Sequence, residues 1–245
     1  MTNNKLTKEI IKTIKRGEIY RIAFLGDSIT SAEWVHPNFR EIIKYVLEEE
    51  LTKILDGDWK SPSWLIRTYN AGLNGGTTKD MLKSLDNYVL LFKPRLVVLQ
   101  GSRNDLETSV SKDAFTTNYR KLVKKLAKRR IRLLLIGTSP NLHKRSNEKL
   151  KPYMDAVKNL SKELNIQYID LFNKLQEHDL TKFFTFTSEG NEQTGTKPGE
   201  VDPTHPNPLG NAYIAKLILK EAFSIKFDPE IYIQEVTRVN KYPKY

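Results

Sequence analysis

Three side chains, one near the start of the chain and two near its end, could together carry out nucleophilic chemistry. Ser28 lies in GDSIT (residues 26–30), directly behind the apolar run IYRIAFL (residues 19–25). A serine hydroxyl is a poor nucleophile until a base takes its proton. A base is on offer near the other end of the chain in VDPTHPN (residues 201–207), where Asp202 and His205 stand three apart, each followed by proline. A residue before proline is pushed away from helical geometry, so both belong to an extended loop. The chemistry this trio suggests is nucleophilic: Ser28 attacks, His205 accepts and returns the proton, and Asp202 holds the imidazole. Alone, Asp-x-x-His is a common surface-loop pattern, and a serine after a strand often does no more than cap a helix.

The elements that must position these groups alternate. Residues 5–16 place Leu6, Ile10, Ile11 and Ile14 at helical spacing, with Gly17 as a stop. Residues 19–25 read as a strand buried on both faces of a parallel sheet. A long helix is expected over 38–55, with Asn38 as its cap, then a second strand over WLIRTYN (64–70) and a helix over about 78–92. RLVVLQ (95–100) is the third strand, a basic helix covers 112–129, and IRLLLIG (131–137) is the fourth strand. A helix over 146–164 and a fifth strand, IQYIDLF (166–172), follow. Asn207 and Pro208 suit the cap and first position of a closing helix. Residues 173–200, which include the polar TSEGNEQTGTKPGE, read as a mobile loop without a core-forming pattern.

Strand–helix alternation implies a parallel sheet with helices on both faces, whose sites form at the carboxyl ends of the strands. Ser28 follows the first strand, Gly75 the second and Asn104 the third, so the three converge on one edge.

Joined in this order, the motifs resemble those of the SGNH, or GDSL-type, hydrolase superfamily. GDSIT is similar to its first block, NAGLNGGT (residues 70–77) to the second, GSRND (residues 101–105) to the third and DPTHPN to the last. The resemblance implies an α/β, three-layer, flavodoxin-like fold with a five-stranded parallel sheet, and ester hydrolysis. It also implies an oxyanion hole made of the Ser28 and Gly75 backbone N–H groups and the Asn104 side-chain amide. That set makes chemical sense, because glycine permits close backbone approach and an amide donor carries no charge to be desolvated. Two departures stand out. Gly101 and Asn104 are separated by two residues rather than one, and Gly76 stands where many relatives carry Asp, which leaves Gly75 and Gly76 as rival donors. Asp27 and Asp105 read as structural acceptors in their own loops.

Composition narrows the field further. The 245 residues are expected to form one domain, with a leading helix within 1–17 and a C-terminal extension over 226–245. With no cysteine, thiol catalysis, thiolate-bound zinc and disulfides are excluded. His36, His143 and His178 lack metal-ligand spacing, so no metal and no cofactor is expected. The start of the chain lacks a signal-peptide core, and no apolar run approaches the roughly 18 residues of a spanning helix. The expectation is a soluble, cytoplasmic protein. The net charge of +11 and the run RKLVKKLAKRRIR (residues 120–132) invite a polyanion partner. Leu122, Val123, Leu126 and Ile131 interrupt that run at amphipathic spacing, which favours a solvated helix face over nucleic-acid binding. Trp34, Phe39 and Trp64 read as core aromatics, with pocket lining as the alternative.

The leading reading is a serine esterase for short-chain acyl esters, O-acetyl groups above all, on a small-molecule or glycan substrate. The alternatives are a thioesterase or lysophospholipase, and, outside catalysis, an anionic-glycan or nucleic-acid binding module with a vestigial site. The acyl group, the alcohol and the oligomeric state are not encoded in any motif.

Overall fold

The computed structural model describes residues 4–101, 103–192, 195–238 and 242–245. Five parallel strands form one sheet in the order β2-β1-β3-β4-β5: β1 (Tyr20–Gly26), β2 (Ile66–Gly72), β3 (Leu96–Gln100), β4 (Arg132–Ile136) and β5 (Tyr168–Ile169). This is the flavodoxin-like order that the family resemblance implied, on the parallel sheet that the alternation implied. Register brings the strand ends level, with Gly26 opposite Gly72 and Leu25 opposite Leu99.

Successive side chains of a strand point to opposite faces, and here both faces are covered. Ile22, Phe24, Leu96 and Val98 join the core built with α1 (Lys5–Ile14), α3 (Phe39–Ile54) and α10 (Pro208–Ile218). Ala23, Leu25, Val97 and Leu99 join the other core, with α5 (Thr78–Tyr88), α7 (Lys112–Lys128) and α8 (Lys144–Glu163). That is why β1 and β3 read as nearly continuous apolar runs. In the basic helix α7, Leu122, Val123 and Leu126 are buried, so its cations occupy the solvated face.

Helix starts follow local chemistry. Asn38 and Glu41 form a reciprocal capping box on α3, and Thr77 and Asp80 form another on α5. Asn207 accepts from the Gly210 N–H, with Pro208 at the first position of α10.

Several boundaries differ from the sequence reading. Trp64 belongs to a short helix, α4 (Lys60–Leu65), rather than to β2. Pro62 is tolerated in its first turn, where the N–H has no helical partner anyway. The helix over 78–92 ends at Tyr88, passes through a tight 3-10 turn, Leu90–Phe92, and stops at Lys93 in the left-handed region (φ 48°) before Pro94. The fifth strand is two residues long because Asp170 caps a new helix, α9 (Leu171–Leu175), by accepting from the Asn173 N–H at 3.2 Å. Leu171, Phe172 and Leu175 then bury at helical spacing. Residues 173–200 are not the patternless loop expected of them. Phe183 and Phe184 are core residues, and the polar stretch turns back on itself through antiparallel bridges Thr187–Val201 and Asn191–Thr196; residues 193 and 194 lie outside the described residues. Near the C-terminus, Asp228 caps α11 (Pro229–Val236), and Tyr232 packs in the core. Residues 239–241 of the tail and 1–3 of the leading segment lie outside the described residues.

Candidate active site

β1 ends at Gly26 and turns directly into the short helix α2 (Ser28–Ser31). Gly26 is required by close packing, since a Cβ there would stand 2.2 Å from Thr30 Oγ1 and 2.6 Å from Gln100 Oε1. Ser28 is the first residue of α2, half-buried, with its hydroxyl facing the loop that precedes α10.

That loop carries His205 and Asp202, and several hydrogen bonds fix it. The Asp202 N–H donates to Phe186 O at 2.8 Å, the Leu142 N–H to Pro203 O at 2.9 Å, and the Asn141 side chain to Thr204 Oγ1 at 3.3 Å. His205 Nε2 lies 2.9 Å from Ser28 Oγ, and His205 Nδ1 lies 2.7 Å from Asp202 Oδ2. With Nδ1–H donated to the carboxylate, Nε2 is left as acceptor for the serine O–H. Asp202 Oδ1 meanwhile accepts from the backbone N–H of Thr204 (2.8 Å) and of His205 (3.2 Å). Burial works to raise the Asp202 carboxyl. The His205 hydrogen bond, the imidazole's charge and the two N–H groups outweigh it and hold the group below the usual carboxylate range.

The second and third strand-end loops meet the first. Leu73 to Gly76 make a turn closed by the Gly76 N–H donating to Leu73 O at 3.0 Å, with Gly75 at φ +66°. That conformation favours glycine at the third turn position. The Gly76 N–H is thereby engaged within the turn. The Gly75 N–H makes no hydrogen bond among the described residues and is exposed at the same edge. Asn104 opens α6 (Asn104–Glu107), is 7% exposed, and donates from Nδ2 to Gly76 O at 3.1 Å. Ser102, within GSRND, lies outside the described residues.

Two aspartates stitch these loops together. Asp27 accepts from the N–H groups of Ile29 and Arg103, each at 3.1 Å, and so ties the β1 turn to the β3 turn. Burial, outweighing those N–H groups, pushes its carboxyl above its ordinary value. Asp105 was expected to serve its own loop. Its side chain accepts from the Thr78 N–H (2.8 Å) and hydroxyl (2.6 Å), joining the β3 turn to the start of α5.

Sequence reasoning missed Arg103 and its partner Glu107. Arg103 is buried beneath the site, its Nε 3.5 Å from Glu107 Oε1, with Nε and Nη1 lacking a hydrogen-bond acceptor among the described residues. Burial lowers the Arg103 pKa and raises that of Glu107. Of the aromatics expected in the core, only Phe39 is there. Trp64 is 57% exposed, and Trp34 is 53% exposed with its ring edge-on to His205, centroids 5.5 Å apart. Trp34 sits in the polar segment SAEWVHPN, without apolar periodicity around it, and that surrounding is the signal that marks it as a surface residue. His36, His143 and His178 take no part in the Ser28–His205–Asp202 row, and among the described residues no group of three or more His, Asp and Glu is placed to hold a metal ion.

A hydroxyl, an imidazole and a carboxylate in one hydrogen-bonded row, at the carboxyl edge of a doubly wound sheet, define an α/β ester hydrolase. The chain belongs to the GDSL-like lipase/acylhydrolase family, whose model matches residues 24–213. Solved structures share the fold. A lipase/acylhydrolase from Enterococcus faecalis superposes with a TM-score of 0.63 at 22% identity, covering 83% of this chain and 95% of its own. An acetylxylan esterase from Geobacillus stearothermophilus, in a catalytic-mutant form, gives 0.62 at 18% identity, covering 84% and 94%. A further acetyl xylan esterase gives 0.61 at 21%, covering 82% and 98%. No curated protein sequence matches the chain significantly. Among the described residues no helix is long and apolar enough to cross a membrane.

Proposed function

We propose that the protein is a serine esterase that removes short acyl groups, O-acetyl above all, from a carbohydrate. Ser28 is the nucleophile. As its Oγ bonds to the ester carbonyl carbon, the hydroxyl proton passes to His205 Nε2, and Asp202 stabilises the imidazolium through Nδ1–H. Collapse of the tetrahedral intermediate breaks the bond to the alcohol oxygen, which takes the proton from Nε2 and leaves. Water then attacks the acyl-enzyme, giving its proton to Nε2, and the carboxylic acid departs as Ser28 Oγ is reprotonated. The oxyanion is met by the N–H groups of Ser28 and Gly75 and by the Asn104 amide, donors that need no reorganisation as charge develops.

The observation that carries this reading is the 2.9 Å approach of Ser28 Oγ to an imidazole already oriented by a carboxylate at 2.7 Å. Support for acetyl and sugar comes from the two acetylxylan esterases among the structural neighbours. The test is turnover of 4-nitrophenyl esters from acetyl to palmitoyl by the wild type and by Ser28→Ala. Acetyl or butyryl preference, abolished in the folded variant, is the expected result. Wild-type activity in Ser28→Ala would refute the nucleophile. Preference for long chains would refute the acyl assignment and favour a lysophospholipase, and preference for acyl thioesters a thioesterase.

A further inference from the structure

Beside the short helix that carries Ser28 runs a cleft of about 580 Å3 that the chemistry of a two-carbon acyl group leaves unexplained. It opens at Ser31, on the same short helix as Ser28, and is bounded on the His205 side by Trp34. Tyr88 and Phe92 face it from the end of α5 and the turn that follows, and Asn74 and Asn87 line it with Glu33.

We infer that this cleft binds the alcohol half of the substrate, and that this half is an uncharged oligosaccharide; the inference rests on the esterase reading above. Size is the first reason. An acetyl group fills a small fraction of such a volume, so the cleft belongs to the larger partner of the ester bond.

Lining chemistry is the second. Trp34 and Tyr88 are 53% and 50% exposed, a cost that apolar rings carry at a surface unless something covers them. Phe92 is held in place by stacking on Tyr69, centroids 4.5 Å apart at 26°. The aromatic faces suit the C–H faces of pyranose rings, while the side chains between them suit hydroxyls. The Asn87 amide and the Tyr88 hydroxyl have no intramolecular hydrogen-bond partner among the described residues. Asn74 is oriented by Ser31, whose Oγ donates to Asn74 Oδ1, and that leaves its Nδ2 free to donate. Rings beside a few convergent polar groups are the usual make-up of a small-molecule site.

Charge is the third reason, and it selects among glycans. The chain carries 40 Lys and Arg residues, yet none lines this cleft, whose one charged side chain is the acid Glu33. Cations gather instead at the opposite end of the sheet, where Lys93, Arg95, Arg129, Arg130 and Arg132 surround a separate cavity of about 920 Å3. A uronate or sulfated sugar would therefore meet no counter-charge in this cleft. Glu33 is itself engaged, its Oε1 accepting from Asn70 Nδ2 at 3.2 Å, which sets the amides and rings, rather than an acid awaiting a cation, as the recognition surface.

The test compares two substrates in three proteins. Wild type, Tyr88→Ala and Asn87→Ala are assayed on a partly acetylated, uncharged gluco-oligosaccharide and on 4-nitrophenyl acetate, with melting temperatures to confirm folding. Expected is a loss of about ten-fold in kcat/KM on the oligosaccharide, carried by KM, for each variant, with 4-nitrophenyl acetate held within two-fold. Equal losses on both substrates, or none on either, would overturn the inference. So would a wild-type preference for an acetylated uronate oligosaccharide or for acetylcholine. The esterase reading fails separately, through retained turnover in Ser28→Ala, and survives a negative result at Tyr88 and Asn87.

Discussion

Replacing Asp202 by asparagine should disable the site without moving a heavy atom. Asp202 Oδ1 accepts two backbone N–H groups, from Thr204 at 2.8 Å and His205 at 3.2 Å, while Oδ2 faces His205 Nδ1 at 2.7 Å. An amide has one oxygen for these two tasks. If the oxygen stays with the N–H groups, the NH2 faces Nδ1, which must then accept, and the ring proton moves to Nε2. Nε2 lies 2.9 Å from Ser28 Oγ, so it becomes a donor to the hydroxyl it should deprotonate. The opposite amide orientation keeps the tautomer but sets an NH2 against two N–H donors, forfeiting two hydrogen bonds at roughly 1 kcal/mol each. The wrong tautomer is therefore the favoured state. Loss of the tautomer-setting carboxylate in a comparable triad costs ~10⁴ in kcat, or about 5.4 kcal/mol at 1.36 kcal/mol per decade. The assay is kcat on 4-nitrophenyl acetate at neutral pH, with thermal melting as the control for folding. A folded Asp202→Asn variant within ten-fold of the wild type would refute the reasoning and show that the loop's backbone alone orients His205.

Asn104→Ala should lower kcat by ~10²–10³ with little change in KM, as expected for a donor engaged chiefly in the transition state; steady-state kinetics on the same ester checks this. Gly72→Ala should cost about 1–3 kcal/mol in chemical denaturation, because its Cβ would lie 2.3 Å from the Ser31 backbone nitrogen and 2.6 Å from Ser31 Cα. Backbone cannot yield as a side chain can, so the helix bearing Ser28 shifts and activity falls with stability. Arg103→Met should destabilise by roughly 1–3 kcal/mol, since it removes the cation compensating half-buried Glu107 and buried Asp27. Adding Glu107→Leu should recover part of that loss, and a double mutant no more stable than the single would argue against the pair.

Much of this protein was legible as sequence because the relevant physics is local. Two-sided burial writes β1 and β3 as apolar runs, helical periodicity writes α3, α7 and α10, and Asn38, Thr77 and Asn207 carry their helix starts in their own side chains. Strand–helix alternation leaves few topologies, so the convergence of three strand-end loops followed from it, and the DPTH segment stood out through its two prolines.

Other features leave no mark on periodicity or composition. The fifth strand shrinks to two residues because the Asp170 side chain, a hydrogen-bond acceptor in any context, finds the Asn173 N–H and starts a helix. The Gly76 N–H is taken up by one hydrogen bond to Leu73 O, which no composition records. The Asp105 side chain reaches Thr78, and Trp34 stands at the surface against His205 rather than in the core, each because of what the fold brings alongside. Residue types and spacing determined that a hydroxyl, an imidazole and a carboxylate were present in hydrolase order. Only the tertiary structure decided that they stand in one row, 2.9 and 2.7 Å apart, because that spacing is set by loops pinned to one another and not by any stretch of chain alone.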